Sequence, residues 1–223
     1  PTALALGYFC DAQPDVAPEL RRLGAVRQIK TQLDARPPPH VGAALCVPLG
    51  AMGAADAREA SEIAKCGALH AAARATILGR RRPHASGLGA TRTALCRVLA
   101  RCQEYTALSN IFLEMNMPAD PAAAPPTTRS VASGTATARE AKERHVETEV
   151  LAALLRALAS TFTARGSLRQ DFQARGMLVR AQQCAHGEPE LVKALGDLNA
   201  TFPPQMVAAT DPGYEQRLLA QLE

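Results

Sequence analysis

The sequence predicts an all-α protein of the α-solenoid class, and three observations carry that prediction. The first is a repeat. Leu6, Leu49, Leu99, Leu158 and Leu195 each sit between a small or apolar residue and a Gly or Ala, inside an apolar helical stretch. In four of the five units a glycine follows eighteen residues later, at Gly24, Gly67, Gly176 and Gly213, while Met117 fills that slot in the third unit. The second is composition. The chain of 223 residues is 47% hydrophobic but only 4% aromatic, with no Trp. Alanine and leucine, both strong helix formers, supply most of the apolar material. The third is the lack of any convincing run of alternating apolar and polar residues, which argues against strands.

Each repeated leucine is expected near the end of a helix that turns one apolar face to its neighbours. A short helix follows, with an apolar residue four positions before the glycine: Leu20, Ile63, Leu113, Phe172 and Ala209. The glycine then turns the chain sharply, because Gly tolerates backbone conformations that a Cβ resists. The next helix opens at Gly24-Ala25-Val26, Gly67-Ala68-Leu69 and Gly176-Met177-Leu178. Spacing from each glycine to the next leucine varies, as a surface loop allows. The first residues fall inside the long helix of a unit, and Gly213 to Glu223 match only the helix after the glycine. Both ends therefore cut through a unit, and the chain is expected to be a segment of a longer array, to dock at its ends, or to carry degenerate caps.

Two interruptions divide the chain. Gly79 to Gly87 is a basic loop containing Arg80-Arg81-Arg82. It reads first as a solvated loop and second as a contact for phosphate or an acidic protein surface. Residues 118–143 are rich in Ala, Pro, Thr and Ser and are expected to be an extended or disordered insertion. The expected organisation is repeats over 1–117, the insertion over 118–143, and repeats of the same solenoid over 144–223.

Asp15-Val16-Ala17-Pro18-Glu19-Leu20-Arg21-Arg22-Leu23-Gly24-Ala25-Val26 resembles the first-to-second helix junction of the armadillo repeat family. Ala60-Ser61-Glu62-Ile63-Ala64-Lys65-Cys66-Gly67-Ala68-Leu69 is a second match, and Gln173-Ala174-Arg175-Gly176-Met177-Leu178 a looser one. The resemblance covers most of the chain apart from the two loops. It implies an armadillo-like right-handed superhelix of three-helix repeats, whose long third helices line a concave groove. HEAT-type solenoids, with two-helix units of similar length, are the alternative.

The resemblance also places the groove. Its two slots per unit fall two residues before and two after the repeated leucine. They hold Leu4 and Tyr8, Val47 and Ala51, Arg97 and Arg101, Arg156 and Ser160, then Lys193 and Asp197. The expected partner-binding residues are Tyr8, Arg97, Arg101, Arg156 and Lys193. A row of cations there implies a protein partner with an acidic or phosphorylated segment; the alternative is ordinary solvated charge. A family member that reads basic nuclear-localisation peptides uses Trp and Asn in these slots, and neither pattern is present. A net charge of +4 is far from that of a dedicated nucleic-acid binder.

No catalytic, cofactor or metal site is expected. His40, His70, His84, His145 and His186 have no partner at metal-ligand spacing, and His70 reads as a helix-surface or core-edge residue. Neither a phosphate loop nor a nucleophile elbow occurs. The acidic residues read as solvated on polar helix faces. Cys10, Cys46, Cys66, Cys96, Cys102 and Cys184 have an even count, which invites a disulfide reading. They mostly occupy small apolar positions in predicted helices with no CxxC pair, so reduced thiols and an intracellular setting are the expectation. No apolar run is long enough to span a bilayer. The expected function is a non-enzymatic scaffold in a cytoplasmic assembly, cytoskeletal or ciliary. The alternative is an armadillo-type nucleotide-exchange factor for a cytosolic chaperone ATPase, on the resemblance of Leu195 to Pro204 to that group.

Overall fold

The computed structural model describes residues 2–75, 88–115, 138–184 and 188–210, and every regular element among them is helical. The basic loop Gly79 to Gly87 and most of the 118–143 segment lie outside the described residues, as does Gly213.

In chain order the helices are α1 (Thr2–Ala12), α2 (Ala17–Arg22), α3 (Ala25–Asp34), α4 (Pro39–Ala55), α5 (Ala57–Lys65), α6 (Ala68–Ala73) and α7 (Leu88–Leu99). There follow α8 (Tyr105–Met115), α9 (Ala138–Ala164), α10 (Leu168–Ala174), α11 (Met177–Cys184), α12 (Pro189–Asn199) and α13 (Pro204–Thr210). The long helices α1, α4, α7, α9 and α12 carry the five repeated leucines. Helix α9 begins at Ala138, within the segment expected to be an insertion.

The glycines turn the chain where the sequence places them. Gly24, Gly67 and Gly176 have φ of 81°, 82° and 68°. Each lies between a short helix and the next: α2 and α3, α5 and α6, α10 and α11. A Cβ in this left-handed region costs about 1–2 kcal/mol, which explains the residue type. The helices that follow bury their opening apolar residues, Val26, Ala68, Leu69, Met177 and Leu178. Of the apolar residues four before the glycine slot, Ile63 and Phe172 are fully buried and Leu20 and Leu113 half-buried. Ala209 is exposed, because α13 turns Val207 inward instead.

The long helices pack in chain order, α1 on α4, α4 on α7, α7 on α9 and α9 on α12. Leu49, Leu99, Leu158 and Leu195 are buried in this row, and Leu6 in its first helix is half-buried. Helix α4 is buried along most of its length, as a sequence apolar on all sides requires. Three approaches within the row are too close for a side chain: a Cβ on Gly53 of α4 against Val98 Cγ2 of α7, at 2.8 Å, and two at the glycine after a repeated leucine. A Cβ on Gly7 of α1 would lie 2.5 Å from Val47 Cγ1 of α4. One on Gly50 of α4 would lie 2.6 Å from the Ala94 Cα of α7. Both glycines directly follow the repeated leucine. In α9 the same place holds Ala159, also buried, whereas Ala100 lies past the last residue of α7 and is exposed.

A second set of links joins the short helices that follow the long ones. Arg21 Nε of α2 is 3.0 Å from Glu59 of α5. Lys65 of α5 is 3.5 Å from Glu104, just before α8. The Tyr105 hydroxyl of α8 donates to Asp171 of α10 at 2.6 Å. Beneath them Tyr105, Phe112, Phe162, Phe172 and Phe202 form a chain of ring contacts with centroids 5.2–6.2 Å apart. Tilted and edge-on rings of this kind add roughly 0.5–1.5 kcal/mol per pair beyond burial.

Candidate functional site

The groove slots form a surface that is open at both ends and closed over α4. Leu4 and Tyr8 on α1 are 37% and 68% exposed. Arg156 and Ser160 on α9, and Lys193 and Asp197 on α12, are exposed pairs one turn apart on their helices. Arg156 Nε is 3.8 Å from Asp197, so the α9 and α12 slots face the same surface. The α4 slots do not join it. Val47 packs onto Gly7 of α1, and Ala51 is buried. The close fit of α1 and α7 against α4 leaves Val47 half-buried and Ala51 buried.

That fit also brings α1 and α7 within reach of one another. Arg97 holds Asp11 of α1 in a bidentate pair, Nη2 to Oδ1 at 2.5 Å and Nη1 to Oδ2 at 3.2 Å. Arg156 donates to Glu190 of α12 at 2.6 Å, and this contact holds the Glu190 carboxyl below its usual range. Arg92 of α7 pairs with Glu149 of α9 at 2.9 Å. Two of the four cations in the expected row are thus matched with carboxylates from other long helices. Arg101, in the turn after α7, and Lys193 are exposed and make no ion pair among the described residues. Exposed pairs of this kind are screened by water and contribute little, so a partner's carboxylate or phosphate could displace them at modest cost.

Sequence reasoning missed Asp11 and Glu190 as part of this surface. Asp11 lies three residues after the Tyr8 slot and Glu190 three before the Lys193 slot. That helical spacing was the available signal.

It also missed Glu59. Taken with the other acids as a solvated charge, this residue is 2% exposed. Burial pushes its carboxyl above the ordinary range, and Arg21 opposes the rise only in part. Their close nitrogen and oxygen are not aligned as a hydrogen bond. Since the raised group binds protons more readily folded than unfolded, its contribution to stability declines as pH rises through the interval above 4.5. Glu59→Gln should flatten that decline. Urea unfolding of both proteins at pH 5 and pH 7 tests this; an unchanged slope would mean that Glu59 is not its source.

Other chemistry is sparse. All six cysteines are free thiols. Burial pushes Cys46 up to about 12 and Cys102 up to about 11, so neither is a thiolate near neutral pH. His70, as expected, sits at the edge of the core, with Nε2 2.9 Å from Glu114. A cleft of about 580 Å³ lies between α2, α3 and α5, lined by Pro18, Arg21, Val26, Arg27 and Glu62 among others. It shares no residue with the groove slots. Among the described residues no helix is long and apolar enough to cross a membrane. Comparison with protein-family models and with curated proteins finds no match to this chain.

Proposed function

We propose that this chain is an armadillo-like solenoid segment acting as a non-enzymatic protein-binding scaffold, a structural part of a larger intracellular assembly, cytoskeletal or ciliary. The observation that carries the reading is the register. Slots two before and two after the repeated leucine supply the exposed pairs on α1, α9 and α12, and side chains from different long helices meet across them. A long shallow surface of this kind offers many separate contact points. Its partner is a protein segment carrying carboxylates or phosphates. Arg101 and Lys193 are the primary contacts, and Arg97 and Arg156 join by exchanging their internal carboxylates. The resemblance of Leu195 to Pro204 supports the second reading, a nucleotide-exchange regulator of a chaperone ATPase.

Arg101→Glu with Lys193→Glu is the direct test. Both residues are exposed and make no ion pair among the described residues, so the variant should remain folded by circular dichroism. Arg97→Glu is a poorer probe, since it would set two acids against each other at Asp11. In a pulldown from cell lysate, the double variant should retain several-fold less of the partner than the parent, and raised salt should weaken the parent in the same way. Equal capture would exclude the groove as the interface. A chaperone ATPase released by ATP would favour the regulator; filament or axonemal proteins would favour the scaffold.

A further inference from the structure

The cleft away from the groove is bounded by α2 and α3 of the first unit and α5 of the second, and arginines from two of these helices line it. Arg27, on the opening turn of α3, is exposed, and its side chain makes no hydrogen bond or ion pair among the described residues. Arg21, on the last turn of α2, meets Glu59 at Nε without an aligned hydrogen bond and makes none elsewhere among the described residues. Two acids also line the cleft, but each has a cation of its own. Glu19 accepts from Arg22 at 2.7 and 2.9 Å, and Glu62 lies 3.4 Å from Lys65.

The pair of Arg21 and Glu59 breaks the register of the repeat. Arg21 stands three residues before Gly24, where the second unit has the buried Ala64 before Gly67. Glu59 stands eight before Gly67, where Val16 and Leu168 precede Gly24 and Gly176. A buried ion pair in place of apolar packing gains little stability. Here it holds a guanidinium at the cleft with its hydrogen-bonding capacity unspent. Burial already favours the neutral form of Glu59, so this carboxyl is a weak competitor for Arg21.

We propose that this cleft binds the phosphate of a small phosphomonoester between Arg21 and Arg27, with the rest of the molecule against Pro18, Val26 and Cys66. Three terminal oxygens let a phosphate accept from both guanidinium forks, whereas one fork fills the two oxygens of a carboxylate. The cleft, about 580 Å³, has the size of a small-molecule site and exceeds what a bare phosphate needs.

The test follows the amide signals of the isotope-labelled full chain by nuclear magnetic resonance at pH 8, where a phosphomonoester is fully ionised. Phenyl phosphate should move Gly24, Val26 and Arg27 at lower concentration than inorganic phosphate, which lacks the body, or benzoate, which lacks the third oxygen. Arg27→Gln should weaken phenyl phosphate binding several-fold. Arg21→Gln alone would strand Glu59 without its partner, so it is made together with Glu59→Gln, and this double variant should weaken binding likewise. Glu59→Gln alone should tighten binding, because no carboxylate then competes for Arg21. Arg101→Glu with Lys193→Glu should bind phenyl phosphate as the parent does, which keeps this site distinct from the groove. Signals that do not move overturn the proposal, as does binding that Arg27→Gln leaves unchanged or Glu59→Gln fails to tighten. Equal binding of benzoate or inorganic phosphate also overturns it, and so does loss of binding in the groove variant.

Discussion

Leu158→Ala is expected to cost about 2–5 kcal/mol of folding stability, the range for truncating a buried leucine. Leu158 is fully buried in α9, between α7 and α12, beside Leu154 and Leu155, which are equally buried. The loss has two parts: transfer of the missing atoms and the cavity that rigid helix neighbours cannot close. Leu99→Ala, at the last residue of α7 and 1% exposed, belongs to the same range. Leu6→Ala should cost clearly less, because Leu6 is only half-buried. Urea unfolding of the three variants checks this order. Losses below about 0.5 kcal/mol at Leu158 and Leu99, the level of ordinary surface changes, would show that the leucine register does not describe the packing.

Gly50→Ala and Gly196→Ala should change stability in opposite directions. Both replace a helical glycine, and helix propensity alone favours alanine by about 1 kcal/mol at each. At Gly196 nothing among the described residues opposes that gain, so the variant should be more stable by up to that amount. At Gly50 the new Cβ would meet the Ala94 Cα at 2.6 Å and its Cβ at 2.8 Å. Backbone of a packed helix cannot step aside as a side chain end can, so α4 and α7 must separate. Overpacking of this kind costs about 1–3 kcal/mol and outweighs the propensity gain. Parallel urea unfolding curves decide the point, and a shift of the same sign in both variants would mean that α4 and α7 are not in close contact at Gly50.

Three of the four expected glycine turns are found because each is a local demand, and Gly213 lies outside the described residues. Gly24, Gly67 and Gly176 take φ values that other residues adopt only at a cost, so residue type alone reveals the turn. The helix starts at Ala25, Ala68 and Met177 follow from the same fact. The groove was legible only in its register. Exposure of Arg156, Ser160, Lys193 and Asp197 follows from their spacing to buried leucines on the same helix. What those charges do was not legible, since Arg97 meets an Asp11 that lies 86 residues away in the chain. Closure of the groove over α4 was hidden for a similar reason. Val47 and Ala51 occupy groove slots by spacing, but Gly7 and Gly50 let the neighbouring helices come close enough to cover them.

The sequence by itself determined that the described residues are helical, where three glycines turn the chain, and which faces of α9 and α12 point inward. These are properties of one helix or one turn, and propensity, periodicity and allowed φ express them within a few residues. Only the tertiary structure decided how closely α1, α4 and α7 approach, which charges neutralise one another, and that Glu59 is buried against Arg21. Each depends on atoms brought together from distant parts of the chain. Their energies are set by separations of a few tenths of an ångström and by solvent exclusion, neither of which a linear spacing encodes.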